Sequence, residues 1–440
     1  MPAQRSAPTA PTLRFANALA RRELLPWILL GVTLGLVEGG TAAILVKQHF
    51  GGSGSSVAVN FAVSIVSGAP SIANVMSFAW ANMAHGRARV PVLVSLQLLF
   101  ALTVGLIGLA PNMLGGLLFA VLSILAARMI WAGILTLRAS VWIANYPRNT
   151  LARMTGRIVV GSSLMVAATG ALVSVALNSG AVDTRLLYLA AAAAGIAAAF
   201  LYRRTRLRRE YQLLAAEQRD AGERGAAFSL KVFRDILRDD KPYRDYMFWM
   251  GVYGAGSVMM TSQMIVIMSD QLKIPSEQQI LMLSVIPLVA LPAFVPFWAR
   301  LFDRMHTVNF RAKQGWCMVL AYLFSTVGIL GGFVPLLWLG ALLLGAALAG
   351  ANFGWNLGHQ DFASQGRAQH YMGVHVTLAG LRGMIAPPLG MLCYELLDVW
   401  RPGAGRYSIL LPTVVTTAGA IGFSYLRKQH YNSPNAKQRP

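Results

Sequence analysis

Apolar stretches of about twenty residues or more recur from Leu24 almost to the end of the chain, separated by short polar breaks. In lipid no water is present to satisfy the backbone, so a stretch of this kind must close its own hydrogen bonds as a helix. About 20 apolar residues cross roughly 30 Å of hydrocarbon. That window gives spans near 24–48, 57–84, 89–110, 112–144, 149–178 and 183–203, then, after a polar break, 243–270, 277–303, 308–333, 335–361, 368–397 and 405–427. Only 12% of the residues are charged, against about 25% in ordinary soluble domains, which excludes a water-soluble globule.

The second set of spans repeats the first. At an offset of roughly 218 residues Trp80-Ala81 returns as Trp298-Ala299 and Met154 as Met372, while Gly31-Val32 returns slightly later as Gly251-Val252. Duplicated halves of this kind build transporter binding sites near the bilayer midplane. The expected fold is an all-α membrane protein of twelve transmembrane helices in two pseudo-symmetric six-helix bundles. Its parts are a tail (1–23), an N-terminal bundle (24–203), a linker (204–242), a C-terminal bundle (243–427) and a second tail (428–440).

Positive charge sets the orientation, because Lys and Arg accumulate on cytoplasmic loops. Roughly 30 of the 38 lie on the N-terminus, the even-to-odd loops and the C-terminus, whereas about five (Lys47, Arg185, Lys273, Arg401 and Arg406) fall on the opposite side. Both termini are therefore expected in the cytoplasm, with the chain in a plasma membrane of the bacterial inner-membrane type. The basic N-terminus precedes an apolar run too long for a signal-peptide core, so it reads as an uncleaved first span. The formal charge of +21 does not point to nucleic acid, since the cations sit between apolar runs rather than on an aromatic-rich polar face. Cys317 and Cys393 both fall inside predicted spans and suggest no disulfide. In the linker, Arg203, Arg204, Arg206, Arg208 and Arg209 follow span six directly; they form either a solvated stretch or a contact for anionic lipid heads. Phe228, Val232, Phe233, Ile236 and Leu237 recur at helical spacing beside Lys231, Arg234 and Arg238, as in a helix lying in the membrane interface.

Two halves of six spans, cytoplasmic termini and a long basic central loop resemble the major facilitator superfamily over essentially the whole chain. Members carry a Gly-x-x-x-Asp-Arg signature after span two and often after span eight. Here Ala299-x-x-x-Asp303-Arg304 follows span eight, while after span two Gly86, Arg87 and Arg89 remain and His85 stands where the acid would be. The resemblance implies that these groups latch helix ends and gate the cytoplasmic side. Span four contains Ile124-Leu125-Ala126-Ala127-Arg128-Met129-Ile130-Trp131, similar to the segment with one mid-helix Arg found in proton-coupled members. Span five lacks the Gly-Pro signature of antiporters, and Gly383-x-x-x-Pro387-Pro388-x-Gly390 in span eleven does not by itself assign antiport.

Glu38 is the one carboxylate at a predicted midplane, where an ionised acid is costly without a partner. Arg128 is its natural partner. The pair reads either as a proton site, loaded and released as the cavity alternates, or as a permanent tie between spans one and four. Arg382 stands near the middle of span eleven, beside helix-loosening prolines, and either meets an anionic group or caps carbonyls. Tyr253, Ser257, Thr261 and Met264 share one face of span seven; Asn352, Trp355, Asn356 and His359 share one face of span ten. Amides and aromatics so placed suit an amphipathic organic ligand, or simply bond helix to helix. His375 occupies the repeat position of Arg157, and both read as gating contacts, with Asp361 nearby and His375 able to titrate near neutral pH. His359, Asp361, His370 and His375 lack the spacing of a metal site, and no cofactor is expected.

These features favour a secondary transporter of a small anionic or amphipathic organic solute, working as a monomer by alternating access and open to proton coupling. No Gly-x-x-x-x-Gly-Lys-Ser/Thr loop supports a pump. An enzyme would need a nucleophile and base or a metal pair on facing helices, and none is legible. A transporter-like sensor or assembly protein is the competing reading.

Overall fold

A computed structural model describes residues 13–53, 55–146, 148–180, 183–208, 210–212, 214–215, 230–363 and 367–431. The tail residues 1–12 and 432–440, Arg209, and linker residues 213 and 216–229, Phe228 among them, lie outside that range. Among the described residues there are helices and no strands. Span two runs as Ser56–Ile72 with continuations to Ala84, span three as Arg89–Ile107, span four as Leu114–Asn145, span five as Arg148–Ser179 and span six as Thr184–Tyr202. Spans seven to twelve follow as Lys241–Asp270, Ser276–Phe302, Thr307–Gly331, Val334–Asn356, Ala368–Trp400 and Leu410–Leu426.

Span one departs from the continuous helix expected over 24–48. It is broken into Leu19–Val37 and Gly39–Phe50, bent by 46°, and counts as a twelfth span only when the two pieces are taken together. The break falls at Glu38, whose backbone is extended at φ −70° and ψ 133°. Two glycines follow, and they permit close approach: a Cβ on Gly40 would stand 2.7 Å from the Ser284 hydroxyl of span eight. Span eight is irregular at the same level, with a wide π turn over Leu281–Val285. Pro287 lacks the N–H that an α-helix would close onto Leu283, and the turn widens instead.

The internal duplication has a structural counterpart. The indole N–H of Trp80 donates to the carbonyl of Met129 at 2.8 Å, and that of Trp298 to Ala346, also at 2.8 Å. Each ring lies on a glycine of the span it meets, Gly133 and Gly350, where a Cβ would come within 2.7 and 2.8 Å of the indole. Span two is thus pinned to span four as span eight is to span ten, which explains why this Trp survives in both halves.

The two bundles meet along spans two and eleven and along spans five and eight. Gly68 and Gly383 bring the first pair together: a Cβ on Gly68 would stand 2.7 Å from the Gly383 carbonyl, and one on Gly383 would stand 2.4 Å from Ser71. Small residues let helices approach this closely in membranes. The polar contacts seen between halves among the described residues fall toward the face away from the chain ends. Lys47 pairs with Asp270 at 2.7 Å and donates to Asn60 at 2.6 Å; Asn60 in turn donates to Glu395 at 2.7 Å. Deeper in, Thr41 donates to Ser284 at 3.0 Å, and Ser174 to the Glu277 carbonyl at 3.0 Å. Toward the terminal face, residues 77–84 of span two turn to span four. The described polar contacts therefore join the bundles on the far side.

The linker helix, Leu230–Asp239, has the expected two faces. Its apolar side is turned onto spans seven and eleven rather than outward into an interface, and Ile236 is buried there.

Candidate functional site

Each half carries its own charged cluster. In the N-terminal half the break in span one frees the Glu38 side chain from the helix cap, and its carboxylate accepts a hydrogen bond from Arg128 of span four at 2.9 Å. The Arg128 side chain is 9% exposed and the Glu38 side chain 34%, so the acid is the member that solvent reaches. Arg128 keeps a buried Nε with no partner.

The C-terminal half gathers three cationic or protonatable groups with no acid bonded to them among the described residues. Arg382 lies flat on span seven, donating to the Met250 carbonyl at 3.0 Å, and Gly254 makes room: a Cβ there would sit 1.8 Å from the guanidinium. Arg311, near the start of span nine, is 1% exposed and lies against Gly354 of span ten, where a Cβ would fall 2.4 Å from its Nε. It donates to Gln314 at 3.0 Å. His375 of span eleven, also 1% exposed, stands edge-on to Trp355 with ring centroids 4.3 Å apart, and it feels the charges of Arg311, Arg382 and His359. Orphaned donors remain on Arg311 (Nε and one terminal nitrogen) and on the Arg382 Nε, while neither ring nitrogen of His375 has a partner. An unpaired buried polar group costs about 1–3 kcal/mol, and a charged one more. Three such groups side by side make a ready receptor for a negative charge.

The remaining candidates from the sequence separate into distinct roles. Tyr253 accepts from Gln314 at 3.3 Å and Ser257 meets Tyr322 at 2.9 Å, so this face of span seven is bonded to span nine. Asn352 and Asn356 are exposed, the Asn356 amide donating to the Asn352 carbonyl at 2.9 Å, and Trp355 between them is half-buried. The proposed equivalence of Arg157 and His375 does not extend to their surroundings: Arg157 is exposed, whereas His375 is enclosed by spans nine and ten. His85 and Arg87 are exposed on the turn after span two, which Gly86 permits with φ +68°. Arg89 is buried, and its backbone N–H donates to Glu210 of the linker at 3.2 Å. Asp303 and Arg304 are exposed at the end of span eight, with no ion pair for Asp303 among the described residues.

Asp361 caps span nine, accepting from the Thr307 N–H at 2.6 Å. Burial pulls His306 and His359, both in the loops beside it, below the ordinary imidazole range, with Asp361 partly opposing. Both histidines thus bind protons less readily in the folded chain than in the unfolded one. Their stabilisation is present above the ordinary value of 6.5 and declines as the pH falls through and below it. The thermal midpoint of the purified protein should fall between pH 7 and pH 5, and His306→Gln/His359→Gln should flatten that dependence in scanning fluorimetry; an unchanged slope contradicts the assignment.

Three buried charges escape a reading of the sequence. Hydropathy places Glu23 just outside span one, yet it is fully enclosed and accepts from the Trp142 indole at 2.8 Å. Arg138 of span four lies between Trp27 and Trp142, 4.8 and 4.3 Å from their ring centroids. The available signal is aromatic: Trp27, Trp131 and Trp142 fall on the spans that supply the box. By sequence Arg311 belongs with the loop cations, although Gly354 and Gln314 mark its berth.

A sequence profile described as Major Facilitator Superfamily matches residues 27–387. Solved structures share the fold. A nucleoside transporter, NupG, superposes with a TM-score of 0.68 at 14% identity, covering 94% of this chain and 100% of its own. A bacterial homologue of the human lysosomal transporter Spinster, inward-facing and occupied, gives 0.68 at 13% identity, with coverages of 96% and 100%. The xylose transporter XylE from E. coli, in an inward open conformation, gives 0.64 at 12%, with coverages of 94% and 96%. At these identities the likeness speaks for fold alone. No curated protein sequence matches.

Proposed function

The chain belongs to the major facilitator superfamily, and from that premise we propose that it is a secondary transporter carrying a small organic anion by alternating access. The observation that carries this reading is the cluster of Arg311, Arg382 and His375, with orphaned donors and no bonded acid among the described residues. A neutral solute leaves those donors with unpaired charge; an anion satisfies them. Asn352, Trp355 and Asn356 lie on the span that covers the cluster and supply amide and aromatic contacts for the organic part of the solute. With the termini in the cytoplasm, as the distribution of Lys and Arg favours, the Lys47–Asp270 side faces outward as the closed gate. His85, Arg87, Arg89, Asp303, Arg304, Arg157 and Asp361 then belong to the cytoplasmic gating region. Glu38 and Arg128 supply a second element, a site at which a proton competes with an arginine for one solvent-reachable carboxylate.

The test is a thermal-stability screen of the purified protein against organic anions, neutral sugars and nucleosides, and organic cations. A ligand that binds only the folded state raises stability by about 2.7 kcal/mol at a hundredfold excess over Kd. The expected result is a rise confined to anions and lost in Arg382→Gln. A rise confined to neutral or cationic solutes contradicts the reading.

A further inference from the structure

The terminal face of the N-terminal half carries a second basic feature, distinct from the C-terminal cluster. A cleft of about 860 Å³ opens between the start of span one and the chain leaving span six. Arg21 and Arg22 line one wall, and Arg204, Arg206 and Arg208 the other. This second wall is built rather than draped. Asn145, buried at the end of span four, donates from its amide to the Arg206 carbonyl at 3.2 Å and accepts from the Arg208 N–H at 2.9 Å. That double contact fixes the backbone that presents the arginines. The nearest acids in sequence are engaged elsewhere, Glu23 with the Trp142 indole and Glu210 with the Arg89 N–H. The floor is apolar: Leu25, 52% exposed, with Pro26 and Leu201.

Guanidinium groups carried on a fixed backbone beside the exposed Leu25 and half-buried Leu201, at the level where spans one, four and six end, match a charged head group joined to an acyl chain. We propose that this cleft binds the phosphate head group of an anionic phospholipid from the adjoining leaflet, with its chain along Leu25 and Leu201. Arginine forks pair with phosphate oxygens, while Leu25 and Leu201 give a reason for the cleft to prefer a lipid over a soluble phosphate. The bound lipid would bridge spans one and six and the start of the linker, tying the N-terminal half to its membrane face.

The test titrates the delipidated full chain with phosphatidylglycerol, phosphatidylcholine or inorganic phosphate and counts adducts by native mass spectrometry. Phosphatidylglycerol should bind at least about tenfold more tightly than phosphatidylcholine. Arg22→Gln/Arg204→Gln/Arg206→Gln should weaken it about a hundredfold, at the usual worth of each cation near a lipid surface. The matching triple Lys variant should keep most of the binding and report that the fold is intact. Arg427→Gln/Lys428→Gln, on the same face outside the cleft, should leave it unchanged. Equal loss in that control pair, or no loss in the triple Gln variant, overturns the proposal. Displacement of phosphatidylglycerol by millimolar inorganic phosphate overturns the lipid assignment in favour of a soluble phosphate.

Discussion

Arg311→Gln is expected to abolish transport of the anion while leaving the protein folded. Arg311 is enclosed between spans nine and ten with two nitrogens unsatisfied, and Gln314 holds the guanidinium in place from below. Removing one member of a desolvated charge pair costs about 2–5 kcal/mol, or roughly 30-fold to a few thousandfold in affinity. Folding should suffer little, because the substitution removes an uncompensated buried cation rather than half of an internal ion pair. Initial uptake rates in proteoliposomes, paired with a thermal midpoint, check both parts. Near-normal uptake contradicts the anion site; loss of uptake together with collapse of the midpoint assigns Arg311 to structure instead. Gly354→Ala is the companion variant, since its new methyl would occupy the guanidinium's berth and displace Arg311 without touching charge.

Glu38→Gln is expected to uncouple transport from an imposed pH gradient. The amide keeps the shape of the carboxyl and a hydrogen bond with Arg128, but it cannot take up or release a proton. The proposed coupling step is loss of the 2.9 Å Arg128–Glu38 pair, which would free the break in span one to move. Bent, discontinuous helices are where transporters of this kind place coupling sites. Counterflow, which needs no driving force, should survive in Glu38→Gln, whereas accumulation driven by a pH gradient should fall to the level of simple equilibration. Accumulation that keeps its full pH dependence means that Glu38 and Arg128 are a fixed tie between spans one and four.

The architecture was legible because membrane insertion and duplication leave coarse marks. Span lengths follow from bilayer thickness, and the Trp80/Trp298 pair identified equivalent helices that the structure joins through equivalent indole hydrogen bonds. The Glu38–Arg128 contact was also legible, since few charges lie at the midplane and each needs a partner. The break at Glu38 was not, because hydropathy averages over a window and passes across a short bend; Glu38-Gly39-Gly40 was its only local mark. Arg311 and Glu23 were missed for a related reason. Both lie near predicted span ends, where charge is ordinarily solvated, and only tertiary packing against Gly354 and Trp142 encloses them. The Lys47–Asp270 pair required both halves at once: the two residues end spans one and seven at equivalent positions with opposite charge, a pairing that appears only when the repeats face each other.

Alternation between two faces is the central claim, and Ser284 offers the most direct view of it. This residue is buried on the closed side, hydrogen-bonded to Thr41 of the other half. With Cys317 and Cys393 replaced by Ser, a Ser284→Cys variant can be exposed in oriented vesicles to a membrane-impermeant maleimide added on the side away from the termini. If the halves rock, the cysteine is modified from that side, and Gly254→Ala, which displaces Arg382, changes the rate. If it stays protected there in folded protein, on a timescale of many minutes, the outer gate does not open and the chain is not an alternating-access transporter.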